Sequence, residues 1–520
     1  MKSITLDALI PREDFEINEN TLMGTSRNKT TLSIEDLKYD SFFFSALRKP
    51  EFQRETNEWD SEKVCSLIES FLNGELVPAI ILWKNQSGFI FVIDGAHRLS
   101  SLGAWINDDY GDGEISRKYY DKFIPEEQRK IAEETRKVVN EKIGSFNEIF
   151  NARRSDNKIN EDKLRIANNL GSLALQVQWV EGDSSTAEDS FLKINQSATK
   201  ISNAELELIK SRNQAHAIAA RAIIRAGKGH KYWSNFEDSE QERIQELSNS
   251  IHTLLFGNRT VNIDNINDLP IGGSFSGNFT LDLVTQTVKI CNDIGVKKEE
   301  NEHGTGAQVI KYLKRTLNIL ERIHSKKPGS LGLHPFIYFY SDIGKHKIGS
   351  YYGILELFKL LEQEKGFDKF TSVRGLFEDT IKEYSFLVQQ IIRKSRQSKR
   401  GYKEVANYYY TIIKIIAKGN FSSPYEIVKE LKKKDNFKYL QIDIIDNEEN
   451  GMKQNFSRGK KQIIKVNALV KGLARCPICD GYLSTFSSSV DHIKRKRDGG
   501  TGSISNGQLT HLYCNTTHKN

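Results

Sequence analysis

Apolar and polar positions follow a regular pattern from Trp59 onward. Asp60 is a typical helix cap, and the apolar residues after it recur with helical spacing as far as Leu72. Two short apolar runs come next, at 79–83 and 89–93, and turn-forming residues separate them. Runs of this length between turn signals are typical of β-strands. The pattern therefore predicts a helix followed by a pair of strands.

Helical periodicity dominates most of the remaining chain. A long charged helical stretch is predicted at about 125–170, further helix at 202–227, and mostly helical structure from about 230 to 390. The strict alternation at 174–180 predicts one more strand. The first forty residues show no clear period and are expected to be an irregular lead-in. The predicted fold class is α+β, with several domains.

The chain is too long for one hydrophobic core, because 520 residues exceed the size at which single domains stop growing. A polar segment at 447–451 precedes the C-terminal part and is typical of a linker. The predicted domains are an N-terminal domain at 1–228, a helical middle domain at 229–392, a basic helical connector at 393–465 and a small C-terminal domain at 466–520.

The composition bears on the cellular location. No apolar run reaches the length of about 18 residues that a membrane span needs, and the N-terminus lacks a secretory apolar region. Of the five cysteines, Cys476, Cys479 and Cys514 crowd into the C-terminal part. Clustering of this kind favours metal ligation in a reducing compartment over a disulfide framework. We therefore expect a cytoplasmic protein without a membrane partner.

Two pairs of metal-binding residues frame the C-terminal part. Cys476 and Cys479 form a CxxC pair with a proline in its turn, and His511 and Cys514 form a second pair with the same separation. Two pairs of this spacing predict a tetrahedral zinc site, which can contribute on the order of 10 kcal/mol of folding free energy. His518 is a competing fourth ligand, because it follows Cys514 by one helical turn. Under the alternative interpretation the cysteines are merely small buried apolar groups.

The residues between and after these pairs carry further polar signals. They comprise, in chain order, Asp491-His492, Gly499-Gly500, Asn506 and Asn515. The arrangement resembles the HNH family of ββα-metal nucleases, in which a CxxC pair, a DH pair, a GG turn, an asparagine and a second CxxC pair followed by asparagine succeed one another. His511 stands where the family pattern has a cysteine, and it remains a legitimate zinc ligand. The resemblance covers about residues 474–520.

The resemblance implies a catalytic role for each matching position. His492 corresponds to the general base that takes a proton from the attacking water. Asp491 and Asn515 correspond to the ligands of one divalent cation, and their oxygen donors suit Mg²⁺ or Mn²⁺ better than zinc. Asn506 corresponds to the residue that orders the loop carrying the base. His518 is an alternative ligand for either metal, and DNA is the implied substrate.

The charge distribution fits such a substrate. The formal net charge is +7, and acidic and basic residues are well mixed up to about residue 390. Basic blocks then follow at 393–403, 432–434 and 494–497. Blocks of this kind are commonly solvated surface. Beside a candidate nuclease centre they predict phosphate contacts, because neutralised phosphates release counterions.

A second set of polar residues follows the strand pair. Asp94, Gly95, His97 and Arg98 lie where a strand ends and a helix begins, so free backbone N–H groups and a positive helix end attract anions there. His97 and Arg98 add phosphate donors, Asp94 can hold a cation, and Gln53-Arg54 can close the site from another element. Under the structural alternative, Asp94 caps the helix, Gly95 relaxes the turn and Arg98 forms a surface ion pair.

These residues, with the segment at 191–206, resemble the ParB/sulfiredoxin-like family that carries a DGQQR or DGQHR motif. The family occurs in GmrSD-type modification-dependent restriction enzymes, and the resemblance covers about residues 40–215. It implies an α/β N-terminal domain that binds a nucleoside triphosphate, GTP or ATP, or senses DNA modification. Ala96 replaces the glutamine of the motif, which counts against nucleotide hydrolysis more than against phosphate binding.

The two resemblances together predict a metal-dependent HNH DNA endonuclease of prokaryotic restriction or anti-phage defence, directed against modified phage DNA. The competing hypothesis is a regulator that binds nucleotide or DNA, with a structural zinc module that does not cut. An HNH module has one cation centre, so cutting both strands requires two modules or two sequential nicks. The oligomeric state is therefore left open by the sequence.

Overall fold

The computed structural model divides the chain into two compact units, Met1–Lys210 with Lys228–His230 and Ser211–Gly227 with Lys231–Asn520. The residues that the structure describes are 3–13, 28–50, 53, 59–119, 124, 126–152, 161–198, 207–208, 210–228, 232–257, 264–275, 277–295, 304–395, 397–442 and 458–518. The finer boundaries expected from the sequence, at 228, 392 and 465, stay predictions.

A six-stranded sheet lies at the centre of the first unit. Its strands in chain order are β1 (Arg12–Glu13), β2 (Thr31–Ser33), β3 (Leu47–Pro50), β4 (Ile80–Lys84), β5 (Ile90–Asp94) and β6 (Ala174–Val180). Their order across the sheet is β1-β3-β5-β4-β6-β2. The strand pair predicted from the two apolar runs is confirmed as β4 and β5, which run antiparallel. The strand predicted from the alternation at 174–180 is confirmed as β6, which runs parallel to β4.

Helices cover both faces of this sheet. They are α1 (Phe42–Ala46), α2 (Ser61–Leu72), α3 (Ala96–Asn107), α4 (Glu114–Tyr119), α5 (Glu126–Lys142), α6 (Phe146–Asn151), α7 (Glu161–Asn169) and α8 (Ser184–Ala198). Asp60 caps α2 as predicted, because its carboxylate accepts a hydrogen bond from the backbone N–H of Lys63 at 3.0 Å. Val92 faces the core shared with α2 and α3, whereas Phe91 faces α8.

Two stretches of this unit differ from the sequence prediction. The first forty residues are not simply irregular, because β1 and β2 within them form the two edges of the sheet and Leu6 and Ile10 are buried. Strands of two and three residues are too short to show a period. The charged stretch at 125–170 contains α5, α6 and α7 rather than one long helix. Gly144, with a φ of +104°, interrupts it after α5.

The second unit is mainly helical. Its described helices are α9 (Ala215–Ile224), α10 (Asp238–Leu255), α11 (Gly277–Asn292), α12 (Gly306–Ile323), α13 (Pro335–Phe339), α14 (Ile348–Gln363), α15 (Phe367–Ser372), α16 (Arg374–Glu383), α17 (Phe386–Lys394), α18 (Ser398–Lys418), α19 (Pro424–Lys432) and α20 (Arg458–Lys471). The segment predicted as a basic connector contains α18, which packs against α14 and buries Tyr408 and Ile412. This segment therefore contributes to the helical core.

The C-terminal residues form a small hairpin and a short helix. Strands β7 (Ser488–His492) and β8 (Gly507–His511) pair antiparallel, and the short terminal helix α21 (Cys514–His518) follows. The predicted fold class, a mixed α+β architecture with several domains and a small C-terminal strand region, is confirmed. Among the described residues, no helix has both the length and the apolar character that a bilayer span requires.

Candidate functional site

The first pair of cysteines lies on a tight turn. Cys476 donates its backbone N–H to the carbonyl of Gly481 at 2.9 Å, and its own carbonyl accepts from the N–H of Asp480 at 2.8 Å. Asp480 has a φ of +56°, which closes the turn. The backbone bonds place both Cys476 and Cys479 in a buried position. Two thiols two residues apart on such a turn can face one cation.

The structure brings four of the predicted zinc ligands together. The ligand atoms of Cys476, Cys479, His511 and Cys514 all lie within 4.8 Å of one another, and all four residues are buried. Three sulfurs and one imidazole nitrogen form a donor set that fits Zn²⁺. His518, the competing fourth ligand, is bonded elsewhere, because its Nδ1 lies 3.2 Å from a carboxylate oxygen of Asp368.

The surroundings of the cluster shift the pKa values of its ligands in different directions. Hydrogen bonds from the thiols of Cys479 and Cys514 lower the pKa of the Cys476 thiol, although burial opposes this effect. Burial lowers the pKa of His511, and the nearby positive charge of Arg374 lowers it further. A thiolate at Cys476 and a neutral imidazole at His511 are therefore favoured, and both are forms that ligate zinc. Hydrogen bonds with Cys476 raise the pKa values of Cys479 and Cys514, so deprotonation of these two thiols requires the cation.

The apolar core around the cluster is small. Among the described residues, the buried cluster at this position consists of the three cysteines and Leu483, with Ile478 packed against it. A core of this size buries too little apolar area to hold a fold by itself. A bound metal is accordingly expected to supply much of the folding free energy of this part.

The hairpin brings the predicted cation ligands close to each other. Asp491 on β7 is buried, and its Oδ2 accepts a hydrogen bond from Gln508 Nε2 across the strand pair at 2.9 Å. Asn515 on α21 donates to the Ser489 hydroxyl at 3.1 Å and to the carbonyl of Val490 at 3.4 Å. Asn515 thus lies against the strand beside Asp491. A carboxylate and an amide oxygen are suitable ligands for Mg²⁺ or Mn²⁺.

His492 ends β7, and the loop after it is held by Asn506. The Asn506 side chain accepts from the Lys494 backbone N–H at 2.8 Å and donates to the carbonyls of Lys494 and Thr501 at 3.1 and 2.7 Å. Its backbone carbonyl also accepts from the N–H of Ile493 at 2.8 Å. These bonds hold the loop after His492, and the supporting role of Asn506 in catalysis stays a prediction. His492 itself is partly exposed, so it can reach a substrate.

A positive surface adjoins this centre. Lys494, Lys496 and Arg497 are exposed in the loop directly after His492, and Arg495 is partly exposed. Exposed basic side chains are suited to phosphate contacts, and the contacts with DNA expected from the sequence stay a prediction.

The N-terminal motif occupies the turn between β5 and α3. Gly95 has a φ of +97°, and a Cβ at this position would lie 2.6 Å from Ile80 Cδ1. The predicted phosphate donor Arg98 is engaged locally, because its Nη2 donates to Asp94 Oδ2 at 2.7 Å and to the carbonyl of Ala79 at 3.1 Å. The ion pair and the relaxed turn correspond to the structural alternative. The cap differs, because Gly95 rather than Asp94 is the N-cap residue.

The other predicted residues of this motif lie nearby or outside the described residues. The His97 ring stacks on Trp59 with ring centroids 5.5 Å apart. Gln53 is partly buried, and its Oε1 atom is enclosed without a hydrogen-bond partner among the described residues. Arg54 lies outside the described residues, as does the end of the second family segment at 199–206.

Sequence reasoning missed residues of the helical segment that contact the C-terminal part. Asp368 accepts from the Tyr513 hydroxyl at 2.9 Å, and Glu378 accepts from the backbone N–H of Tyr482 at 2.5 Å. Both acids lie more than one hundred residues before their partners, on helices whose pattern looks ordinary. No local signal marks them in the sequence.

Comparisons with known proteins match the two ends of the chain. Residues 34–213 match the family model of the GmrSD restriction endonuclease, N-terminal domain, and residues 476–520 match that of the HNH endonuclease. Searches of curated proteins and of solved structures found no match. The prediction of a GmrSD-type domain fused to an HNH domain is confirmed. The two matches support an HNH nuclease with a role in restriction or defence, with DNA as substrate.

Proposed function

We propose that this protein is a metal-dependent HNH DNA endonuclease whose N-terminal unit senses the target through a bound nucleotide or a DNA modification. The observation that carries the proposal is the C-terminal geometry. Four buried side chains that can bind a metal lie together. The Asn515 side chain donates to the carbonyl of Val490, the residue before Asp491, on the strand that ends at His492. The family matches at both ends of the chain support the same assignment.

In this proposal the chain's own residues divide the work of phosphodiester hydrolysis. Cys476, Cys479, His511 and Cys514 hold a structural Zn²⁺ that keeps the hairpin folded. His492 takes a proton from the attacking water. Asp491 and Asn515 would hold a Mg²⁺ or Mn²⁺ ion, which would supply charge stabilisation at the scissile phosphate and the leaving oxygen.

Asn506 and the basic loop complete the centre. Asn506 fixes the loop that follows His492, so the base keeps one orientation towards the substrate. The lysine and arginine side chains of that loop contact the phosphates on either side of the cut. His518, which is bonded to Asp368, is assigned to neither metal.

The cutting activity is tested by incubating supercoiled plasmid with the full chain. The wild type is expected to nick or linearise the DNA only when Mg²⁺ or Mn²⁺ is added, and His492→Ala is expected to lose this activity while retaining its zinc. Metal analysis of both proteins and their melting curves serve as controls for folding. Absence of cleavage by both proteins would instead support the competing hypothesis, a regulator that binds DNA without cutting, and equal cleavage by both would remove His492 as the base.

For the N-terminal unit we propose binding of GTP or ATP at the turn after β5. The positive end of the α3 dipole at this turn supports an anionic ligand here. Asp94→Ala and Arg98→Ala are expected to weaken nucleotide binding or change target choice without loss of zinc. Nucleotide affinities equal to that of the wild type in both variants would remove this part of the proposal.

The target is proposed to be modified phage DNA in the bacterial cytoplasm. Modified and unmodified phage DNA, each with and without nucleotide, give the direct comparison, and preferential cleavage of modified DNA is expected.

None of the five cysteines, all of which the structure describes, forms a disulfide bond, which suits the proposed reducing compartment. Nicked circles that accumulate before linear DNA would indicate two sequential cuts.

A further inference from the structure

A fully buried ion pair lies where α16 meets the C-terminal zinc cluster. Arg374 Nε donates to Glu378 Oε1 at 2.7 Å, and both side chains are completely shielded from solvent. Removing two charges from water is costly, so such a pair persists only where further hydrogen bonds satisfy it. The further hydrogen bonds of Arg374 and Glu378 therefore show which parts of the molecule this pair connects.

Glu378 collects donors from both sides of this contact. Its Oε1 also accepts from the Tyr338 hydroxyl at 2.7 Å, and its Oε2 accepts from the backbone N–H of Tyr482 at 2.5 Å. Tyr338 belongs to α13 in the helical part, whereas Tyr482 follows the CxxC turn. One carboxylate thus ties the backbone of the zinc module to two helices.

The bond to Tyr482 continues to a zinc ligand. The Tyr482 carbonyl can only accept, so the His511 Nε2 atom, 3.0 Å away, must carry the proton and donate it. The lone pair of His511 is then left on Nδ1, which lies 3.3 Å from Cys479 Sγ and faces the cluster. The Tyr482 backbone therefore links the two residues, because Glu378 holds its N–H and its carbonyl sets the tautomer and the ring orientation of the ligand His511.

Other contacts of α16 fix the same turn. Gly375 donates its backbone N–H to the carbonyl of Cys479 at 3.1 Å. Asp379 accepts from Arg475 Nη2 at 2.5 Å and from the Tyr482 hydroxyl at 3.1 Å. The approach is so close that a Cβ added to Gly481 would lie 2.6 Å from Arg374 Nε. Residues of α16 therefore contact the CxxC turn and its flanking residues at several points between Arg475 and Tyr482.

We propose that Glu378 is a positioning residue for the zinc centre and acts on His511 through the backbone of Tyr482, with Arg374 and Tyr338 holding its carboxylate. The inference rests on the zinc site of the proposed function. Under this proposal α16 supplies the residues that orient a zinc ligand. The geometry of the metal in the HNH module then depends on the helical segment.

The test measures zinc retention rather than cutting. Glu378→Gln keeps the side-chain size but removes the charge, and it is expected to release zinc to a chromogenic chelator on the order of tenfold faster than the wild type. The cobalt-substituted variant is expected to show shifted visible absorption bands, because ligand orientation changes at the metal.

Glu356→Gln is the matched control. Glu356 lies on α14 in the same unit and pairs with Lys359 at 2.8 Å, away from the zinc ligands. This variant loses an ion pair of similar length, and its zinc release and cobalt spectrum are expected to equal those of the wild type. Lys359 keeps its bonds to Asp293 and to the carbonyl of Ile290 in this control, so zinc release is compared under conditions in which melting curves show both variants to be folded.

Tyr338→Phe tests the same carboxylate without leaving Arg374 uncompensated. This variant is expected to release zinc faster than the wild type and more slowly than Glu378→Gln. If Glu378→Gln fails to fold, the release rate of Tyr338→Phe by itself tests whether the Glu378 carboxylate positions the zinc ligand. Release rates and cobalt spectra at the wild-type values would overturn the inference while leaving a zinc-bound nuclease intact. A wild type that carries no zinc would overturn the zinc centre and the inference together.

Discussion

Asn506 illustrates how one side chain organises the segment beside the proposed base. It makes three hydrogen bonds, to the Lys494 N–H, the Lys494 carbonyl and the Thr501 carbonyl, and all three lie in the loop after His492. An amide can donate and accept at once, which explains why asparagine suits this position better than a carboxylate. The role follows from the family pattern, and the particular bonds follow only from the fold.

We expect Asn506→Ala to lower the cleavage rate by up to about 100-fold, because a base displaced by about 1 Å loses much of its efficiency. Zinc content is expected to stay at the wild-type value, because the Asn506 side chain bonds to Lys494 and Thr501, which are not zinc ligands. Initial rates of plasmid nicking, with metal analysis of the same samples, check both statements. Full activity of the variant would show that the loop needs no such support.

His334 predicts a pH effect on stability. Its side chain is fully buried, and burial lowers the pKa of the imidazole to about 3, with a further contribution from the charge of Arg374. Below about pH 6.5 the unfolded chain takes up a proton at this residue and the folded chain does not, so acidification favours unfolding. The loss amounts to about 1.4 kcal/mol per pH unit between the two pKa values.

The contribution is isolated by comparing urea unfolding of the wild type and His334→Gln at pH 7 and pH 5. The wild type is expected to lose more free energy of unfolding than the variant over this interval. Protonation of other groups, the zinc ligands included, is common to both proteins. An equal loss in the two proteins would contradict the assignment.

The strand pair and the turn after it show how far local sequence determines an element. Apolar runs bounded by turn residues predicted β4 and β5, and Asp60 predicted the start of α2. The edge strands β1 and β2 were missed, because their pairing depends on residues distant in the chain. The ion pair between Asp94 and Arg98 was foreseen only as an alternative, since the sequence does not show which partner a charged side chain takes.

We expect Gly95→Ala to destabilise the first unit by more than the roughly 1–2 kcal/mol that a left-handed backbone costs an alanine. The added methyl group would also meet Ile80 Cδ1 at 2.6 Å. Gly74→Ala is the matched control, because Gly74 has a φ of +69° with nothing within 4 Å of an added Cβ. Denaturant unfolding of both variants checks the difference, and equal losses would show that the contact with Ile80 relaxes freely.

Across the molecule, the zinc ligands of the C-terminal part were the easiest residues to predict from the sequence. The helical residues that contact this part were the hardest to predict. The spacing of Cys476, Cys479, His511 and Cys514 sufficed to predict the four residues that the fold brings together. The sequence left His518 open between two metals, because its partner Asp368 lies 150 positions earlier. The hydrogen bond from the Tyr482 backbone to Glu378 could not be predicted either, because an isolated glutamate in a helical pattern is usually exposed to solvent.

The central claim is that His492 is the base of a metal-dependent nuclease centre held together by zinc. Chemical rescue tests it most directly: His492→Gly is incubated with supercoiled plasmid and Mg²⁺, with and without added imidazole. We predict no cleavage without imidazole and cleavage that rises with imidazole concentration, because the free base can occupy the vacated space. Cleavage by His492→Gly at the wild-type rate in the absence of imidazole would contradict the claim.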